Sequence, residues 1–310
     1  MSLGFIFPGQ GSQEVGMLAE LSLQHPVIEA CFNRSGELLD LPLWKLVCQG
    51  PAEELNRTAV TQPVLVTAST ALLDIWRERG GAMPDMVAGH SLGEYSALVT
   101  AGVLSFADAV RLVHVRGRLM QEVVPEGKGT MAAVLGLEDD QVELCCAEAA
   151  AETRGVVSAA NYNSPGQVVI AGATESVLKA IEICQARGAR RAVQLAVSAP
   201  FHCELMRPAA ERFRSYVDKT EFHEPQIPVV QNTDACISRN VPEIQQKLID
   251  QIAQPVRWTD CVKTMIKTGM TDYVECGPGK VLSGLMRRID RSVSGGGIDT
   301  AASLAKALEG

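Results

Sequence analysis

The strongest constraint on the fold is the pentapeptide Gly89-His90-Ser91-Leu92-Gly93, a G-x-S-x-G pattern. It lies between the short apolar run Met86-Val87-Ala88 and a helical stretch from Glu94 to Ala101. A strand that turns abruptly into a helix at a serine holds that serine in strained backbone geometry. Side chains at the flanking positions would clash there, which accounts for a glycine at each end. The turn lifts the hydroxyl to the C-terminal edge of a sheet, and the helix behind it presents free N–H groups toward developing negative charge.

The remaining pattern extends this into an α/β chain. Leu3 to Phe7 reads as a buried strand stopped by Pro8-Gly9, followed by the loop Gly9-Gln10-Gly11-Ser12-Gln13 and a helix from Met17. Helical spacing runs from Val64 to Arg79 and from Phe106 to about Met120. Alternation of strands and helices predicts a mainly parallel sheet. The stretch 129–197 has another rhythm: strand, helix, two strands, helix, strand, which is the ferredoxin-like order. The expected organisation is therefore a large subdomain of residues 1–127 and 199–310, with a small ferredoxin-like subdomain inserted at 128–198. Beyond it, a helix opens at His202, Pro228 to Gln231 and Tyr273 to Cys276 read as strands, and Val241 to Ile252 reads as a helix. Gly295-Gly296-Gly297 reads as a loop before a short terminal helix.

Composition narrows the function classes. The chain has 310 residues, 46% of them hydrophobic, which is enough for a sizeable core. A formal net charge of −8 argues against a general nucleic-acid binder. The nine cysteines form no C-x-x-C pair, so reduced thiols in a reducing compartment fit best and no metal site is expected. With no basic-then-apolar leader at Met1 and no apolar run long enough to span a bilayer, the expectation is a cytoplasmic protein away from membranes. A chain this compact is expected to be a monomer.

A serine hydroxyl needs a base. Of the five histidines, His90 adjoins Ser91, where consecutive side chains diverge. His25 and His223 sit in loops, and His114 lies in an apolar helix where packing is the usual role. His202, in Ser198-Ala199-Pro200-Phe201-His202-Cys203, leaves the insert on an expected exposed corner and is the candidate base; the other reading is a helix-terminal histidine without function. An oxyanion needs two donors. The Leu92 N–H is one, and Gln10 in its flexible loop can bring the second. That loop is not a dinucleotide site, because Glu14 stands where the third glycine belongs. Gly277-Pro278-Gly279-Lys280 is not a phosphate loop either, since Val274 and Val281 occupy its key positions. Arg116, in a largely apolar helix, reads as a snorkelling surface group or half of an ion pair, which the sequence alone favours, or as a bidentate clamp for a carboxylate.

Five motifs now stand in order: Phe7-Pro8-Gly9-Gln10-Gly11-Ser12-Gln13, Gly89-His90-Ser91-Leu92-Gly93-Glu94, Arg116-Gly117, Pro200-Phe201-His202 and Glu275-Cys276-Gly277-Pro278-Gly279. Together they resemble the malonyl-CoA:acyl carrier protein transacylase family of type II fatty acid synthesis, over almost the whole chain. The resemblance implies an α/β-hydrolase-like subdomain with a ferredoxin-like insert. It implies Ser91 as nucleophile, His202 as base and acid, Gln10 and the Leu92 N–H as oxyanion hole, and Arg116 on the malonyl carboxylate. Gln251, four residues before Pro255-Val256-Arg257-Trp258, matches the position whose main-chain carbonyl orients the histidine. Asn161 and Gln167 resemble pocket-lining positions on the insert. Leu92 and Phe201 occupy positions associated with malonyl rather than methylmalonyl units, although many discrete bacterial members carry Ser where Phe201 stands.

The implied reaction is ping-pong, from malonyl-CoA through a Ser91 ester to the phosphopantetheine thiol of acyl carrier protein, with no cofactor required. Arg190-Arg191 and Arg287-Arg288 are candidate docking points for that acidic partner. The alternatives are a trans-acting acyltransferase of polyketide synthesis, a serine esterase or thioesterase, and a non-enzymatic carrier-protein-binding module.

Overall fold

The computed structural model describes residues 2–197 and 199–309. Ser198, the expected last residue of the insert, and the chain ends Met1 and Gly310 lie outside the described residues. The strands in chain order are β1 (Ser2–Phe7), β2 (Met86–Gly89), β3 (Gly129–Leu135), β4 (Val157–Ser164), β5 (Gln167–Ala173), β6 (Arg191–Gln194), β7 (Val229–Val230), β8 (Ile237–Ser238), β9 (Met270–Glu275) and β10 (Ser294–Gly297). They make two sheets. The larger runs β10-β9-β1-β2-β7-β8, parallel throughout except for the edge pair β7–β8. The last four residues of β1 are fully enclosed, as a central parallel strand with helices on both faces requires.

The smaller sheet runs β4-β5-β3-β6 with every neighbouring pair antiparallel. With the helices Asp139–Thr153 and Thr174–Ala186 in sequence, it is the ferredoxin-like insert. It has its own core, in which Val134, Cys145, Cys146, Ile170 and Cys184 pack together. The fold is thus a large α/β-hydrolase-like unit carrying a small antiparallel one. Backbone pairing joins the two: the Tyr162 N–H donates to the Val256 carbonyl and the Val256 N–H to the Ala160 carbonyl, both at 2.9 Å.

One helix spans Thr58–Glu78 and passes straight through Pro63. The sequence-based start at Val64 falls one residue after that proline and six after the observed start. Proline cannot donate to the Ala59 carbonyl one turn back, but His114 Nδ1 bonds that oxygen at 2.9 Å and replaces the missing donor. The same helix is long and apolar enough to cross a membrane, contrary to the expectation from apolar runs, but most of its residues are buried inside the larger subdomain. It packs on the helix Phe106–Glu122 at Gly117, where a Cβ would lie 2.6 Å from the Thr58 carbonyl oxygen. Gly117 therefore permits the close approach that sets its neighbour Arg116 against the first helix.

Other elements depart from the sequence reading. Gly295-Gly296-Gly297 is the edge strand β10 and not a loop: a Cβ at Gly295 would run into the Tyr273 carbonyl oxygen of β9, so glycine here serves close strand approach. The helix expected from Met17 is the single turn Ala19–Ser22. Helices Val27–Leu39, Leu43–Gln49, Trp258–Lys267 and Val281–Ile289 carry no side-chain N-cap, so their starts are hidden in the sequence. Replacing Gly117 with Ala is expected to destabilise the fold by about 1–3 kcal/mol through overpacking. Thermal unfolding checks this, and an unchanged melting temperature would show that the two helices do not need the contact.

Candidate active site

The larger sheet delivers Ser91 at the end of β2, on the turn into the helix Gly93–Thr100. Ser91 has φ 52°, the left-handed region that costs a residue with a Cβ energy to occupy. Both flanking glycines are sterically required. A Cβ at Gly89 would collide with the Gly93 backbone, and one at Gly93 with the Phe7 carbonyl oxygen. The Leu92 N–H, at the start of the helix, donates to no protein acceptor among the described residues.

His202 meets Ser91 directly, with Nε2 2.7 Å from Oγ. Its Nδ1 is 2.7 Å from the Gln251 carbonyl oxygen. A carbonyl only accepts, so Nδ1 carries the proton and Nε2 is left to accept from the serine hydroxyl. The expected exposed corner is wrong: His202 is 4% exposed, because Phe201, Cys203 and Met206 on either side of it sink into the core. The helix also starts later than expected, as a 3₁₀ turn at Glu204–Met206 followed by Arg207–Val217. Burial, and then the charge of Arg116, push the His202 pKa down to about 3.

Arg116 is neither a surface group nor half of an ion pair. It is 1% exposed, and its guanidinium bonds only uncharged groups. Nη1 donates to Gln62 Oε1 at 2.9 Å, and Nη2 donates to Gln251 Oε1 at 2.8 Å and to Ser91 Oγ at 3.1 Å. Nε has no partner among the described residues. The cation also lies over the Tyr95 ring, 5.7 Å from its centroid. Burial lowers the Arg116 pKa from its ordinary value, more than the nearby Tyr95 and Glu94 raise it.

These groups open on a cleft of about 570 Å³ between the two sheets. Gln10, Phe201, Asn161 and Gln167 all line it. Gln10 is exposed on the loop after β1, Asn161 and Gln167 come from β4 and β5, and Arg288 Nη1 bonds Gln167 Oε1 across the subdomain junction. His90 also faces the cleft, with Nε2 2.8 Å from Asn163 Oδ1. Gln62, Asn163, Asn232 and the buried Glu94 are contributors that spacing did not single out. Only Glu94 gave a signal, as the last residue of the longer Ser91 motif.

A serine bonded to a histidine, a histidine held by a carbonyl, an N–H at a helix start with no acceptor among the described residues and a buried cation bonded to uncharged groups suit transfer of a carboxylated acyl group. The acyl transferase domain family model matches residues 4–304. The chain belongs to the acyl transferase family. Over 305 residues, and 98% of both chains, it is 50% identical to the malonyl CoA-acyl carrier protein transacylase of Escherichia coli strain K12. It superposes with a TM-score of 0.96 on an acyl carrier protein S-malonyltransferase of Vibrio cholerae, at 47% identity and 99% coverage of each chain. A malonyl-transacylase solved in complex with a type II polyketide acyl-carrier protein is also similar, with a TM-score of 0.97 and 48% identity over 100% of this chain and 99% of that one.

In this acyltransferase the low His202 pKa fixes the sign of a pH effect. The imidazole is neutral from about pH 3 upward, so the base form is present across the range where a free histidine, at 6.5, would be protonated. The acid limb of the pH profile for acyl transfer is expected well below 6.5. Stopped-flow acylation against pH checks this, and a limb centred at 6.5 would contradict the buried, carbonyl-held imidazole.

Proposed function

We propose that this acyltransferase moves a malonyl group from malonyl-CoA to the phosphopantetheine thiol of acyl carrier protein in fatty acid biosynthesis, through an ester on Ser91. Ser91 Oγ attacks the thioester carbonyl as its proton passes to His202 Nε2. The oxyanion lies between the Leu92 N–H and Gln10. Collapse expels the CoA thiolate, which takes the proton from His202. In the second half the carrier thiol gives its proton to His202 and attacks the ester, and Ser91 Oγ leaves with that proton.

The observation that carries this reading is the buried, uncompensated Arg116 beside the Ser91–His202 pair. Its Nε–H has no partner among the described residues, and a malonyl carboxylate can take it or displace Ser91 Oγ from Nη2. A charge-assisted hydrogen bond of this kind contributes about 1.5–3 kcal/mol, which favours malonyl over acetyl. An esterase has no use for that cation. Phe201, which lines the cleft next to His202 in the chain, would crowd the α-methyl of a branched unit. Asn161 and Gln167 form the opposite wall, with the acyl chain between. The likeness to a transacylase solved with its carrier protein supports the partner class. Nine free thiols fit a cytoplasmic enzyme.

Incubation with malonyl-CoA is expected to add one malonyl mass to the protein, and Ser91→Ala to abolish it. Intact-mass spectrometry checks this; a full mass shift in the variant would remove Ser91 as the nucleophile. Arg116→Ala is expected to lower malonyl transfer by about 10-fold or more while relatively improving acetyl transfer. Side-by-side acylation with the two thioesters tests it, and unchanged selectivity would favour the hydrolase reading. Both arginine pairs, Arg190-Arg191 and Arg287-Arg288, are exposed. Charge reversal at either is expected to raise the KM for carrier protein but not for malonyl-CoA, and steady-state kinetics with both KM values unchanged would refute docking there.

A further inference from the structure

We infer that Asn232 is a positioning residue that holds the nucleophile turn in its reactive shape, an assignment that rests on Ser91 being the nucleophile. Asn232 follows β7 and is fully buried. Its side chain spans the turn from one end to the other. Oδ1 accepts the Ser91 N–H at 2.7 Å, and Nδ2 donates to the Gly89 carbonyl at 2.8 Å. Oδ1 also accepts from Gln251 Nε2 at 3.2 Å. The partners fix the amide orientation: turned over, it would set an NH2 against the Ser91 N–H and an oxygen against the Gly89 carbonyl.

The turn needs such a tie. Ser91 sits at φ 52°, which a residue with a Cβ leaves unless its surroundings hold it. The Ser91 N–H makes no bond within the helix that follows, and Asn232 Oδ1 is its acceptor in this part-buried turn. The same bond settles which backbone N–H serves the oxyanion. Ser91's own is consumed, and that of Leu92 is left free.

Asn232 is itself held by the residue that ends the serine motif. Glu94 Oε2 accepts the Asn232 N–H at 2.8 Å, and Glu94 Oε1 accepts from Gln231 Nε2 at 3.1 Å. The motif carboxylate therefore works at one remove, clamping the segment after β7 so that its asparagine meets the serine three residues earlier. Burial raises the Glu94 pKa to about 7, so this carboxyl serves as an acceptor whose charge is suppressed near neutrality.

The test uses phenylmethylsulfonyl fluoride, a neutral electrophile with no carboxylate for Arg116. Ser91 Oγ forms the O–S bond, His202 takes its proton and fluoride leaves. The labelling rate therefore reports the geometry of the turn and base without the clamp. In Asn232→Ala the rate at Ser91 and kcat for malonyl transfer are both expected to fall by about 100-fold, with the KM for malonyl-CoA within about twofold of wild type. Asn232→Asp keeps the acceptor for Ser91 and loses the donor to Gly89, so it is expected to fall between wild type and Asn232→Ala. It also serves as the test should Asn232→Ala fail to fold. Ile28→Ala, a core change on the helix Val27–Leu39, is expected to lose stability and keep the labelling rate. Labelling of the folded Asn232 variants at the wild-type rate would overturn the proposal. Absence of Ser91 labelling in the wild type, located by peptide mapping, would instead remove the nucleophile assignment on which it rests.

Discussion

Gln251 joins the parts of this site into one object. It is fully buried at the end of the helix Val241–Gln251, and it is bonded through both main chain and side chain. The carbonyl oxygen receives His202 Nδ1, Oε1 receives Arg116, and Nε2 donates to the Ser91 carbonyl oxygen at 3.0 Å as well as to Asn232. The His202 imidazole, the Arg116 guanidinium and the Ser91 turn arrive from three distant parts of the chain and find one residue between them. A buried amide satisfied on both sides specifies geometry strongly, because any shift leaves a polar group without a partner. As the acceptor for His202 Nδ1, a neutral carbonyl also adds no negative charge near Arg116.

The electrostatics of the cleft are consistent with this. Arg116 and the imidazole are both buried, and the charge of Arg116 disfavours charge on His202. Glu94 lies close enough to feel the guanidinium but bonds instead to Gln231 and Asn232, and burial holds part of its population protonated near neutral pH. Glu94 and Arg116 attract each other through space without a direct contact. The opposing shifts of Glu94 and His202 also act in opposite senses on stability. The Glu94 contribution weakens as pH rises from about 4.5 to 7. That of His202 weakens as pH falls from 6.5 to about 3.

Much of the fold was legible because its signals are local. The alternating strands and helices, the ferredoxin-like order of the insert and the glycine-flanked serine depend on neighbours in sequence. What was not legible depends on contacts between distant segments. The helix start read at Val64 misses the turn before Pro63, where His114 serves the orphaned Ala59 carbonyl. Gly295 reads as loop until Tyr273 is seen to require it in a strand. Arg116 reads as a surface cation because nothing local reveals that Gly117 draws its helix into the core. His202 was found, but its burial was not, since that follows from Phe201, Cys203 and Met206 packing beneath it. Asn232 and Gln62 carry no motif at all, and only the assembled turn and clamp give them meaning.

The segment after Gln251 has a further bearing on how such enzymes can diverge. It supplies the histidine's acceptor at one end, and at Val256 it is hydrogen-bonded along β4, beside Asn161. One short stretch of backbone therefore acts as a ruler, fixing the tautomer of the base and the separation of the two cleft walls at once. A change of length there cannot widen the acyl chamber without also withdrawing the imidazole's support. Side chains on the cleft walls, such as Phe201, can be exchanged without moving that frame.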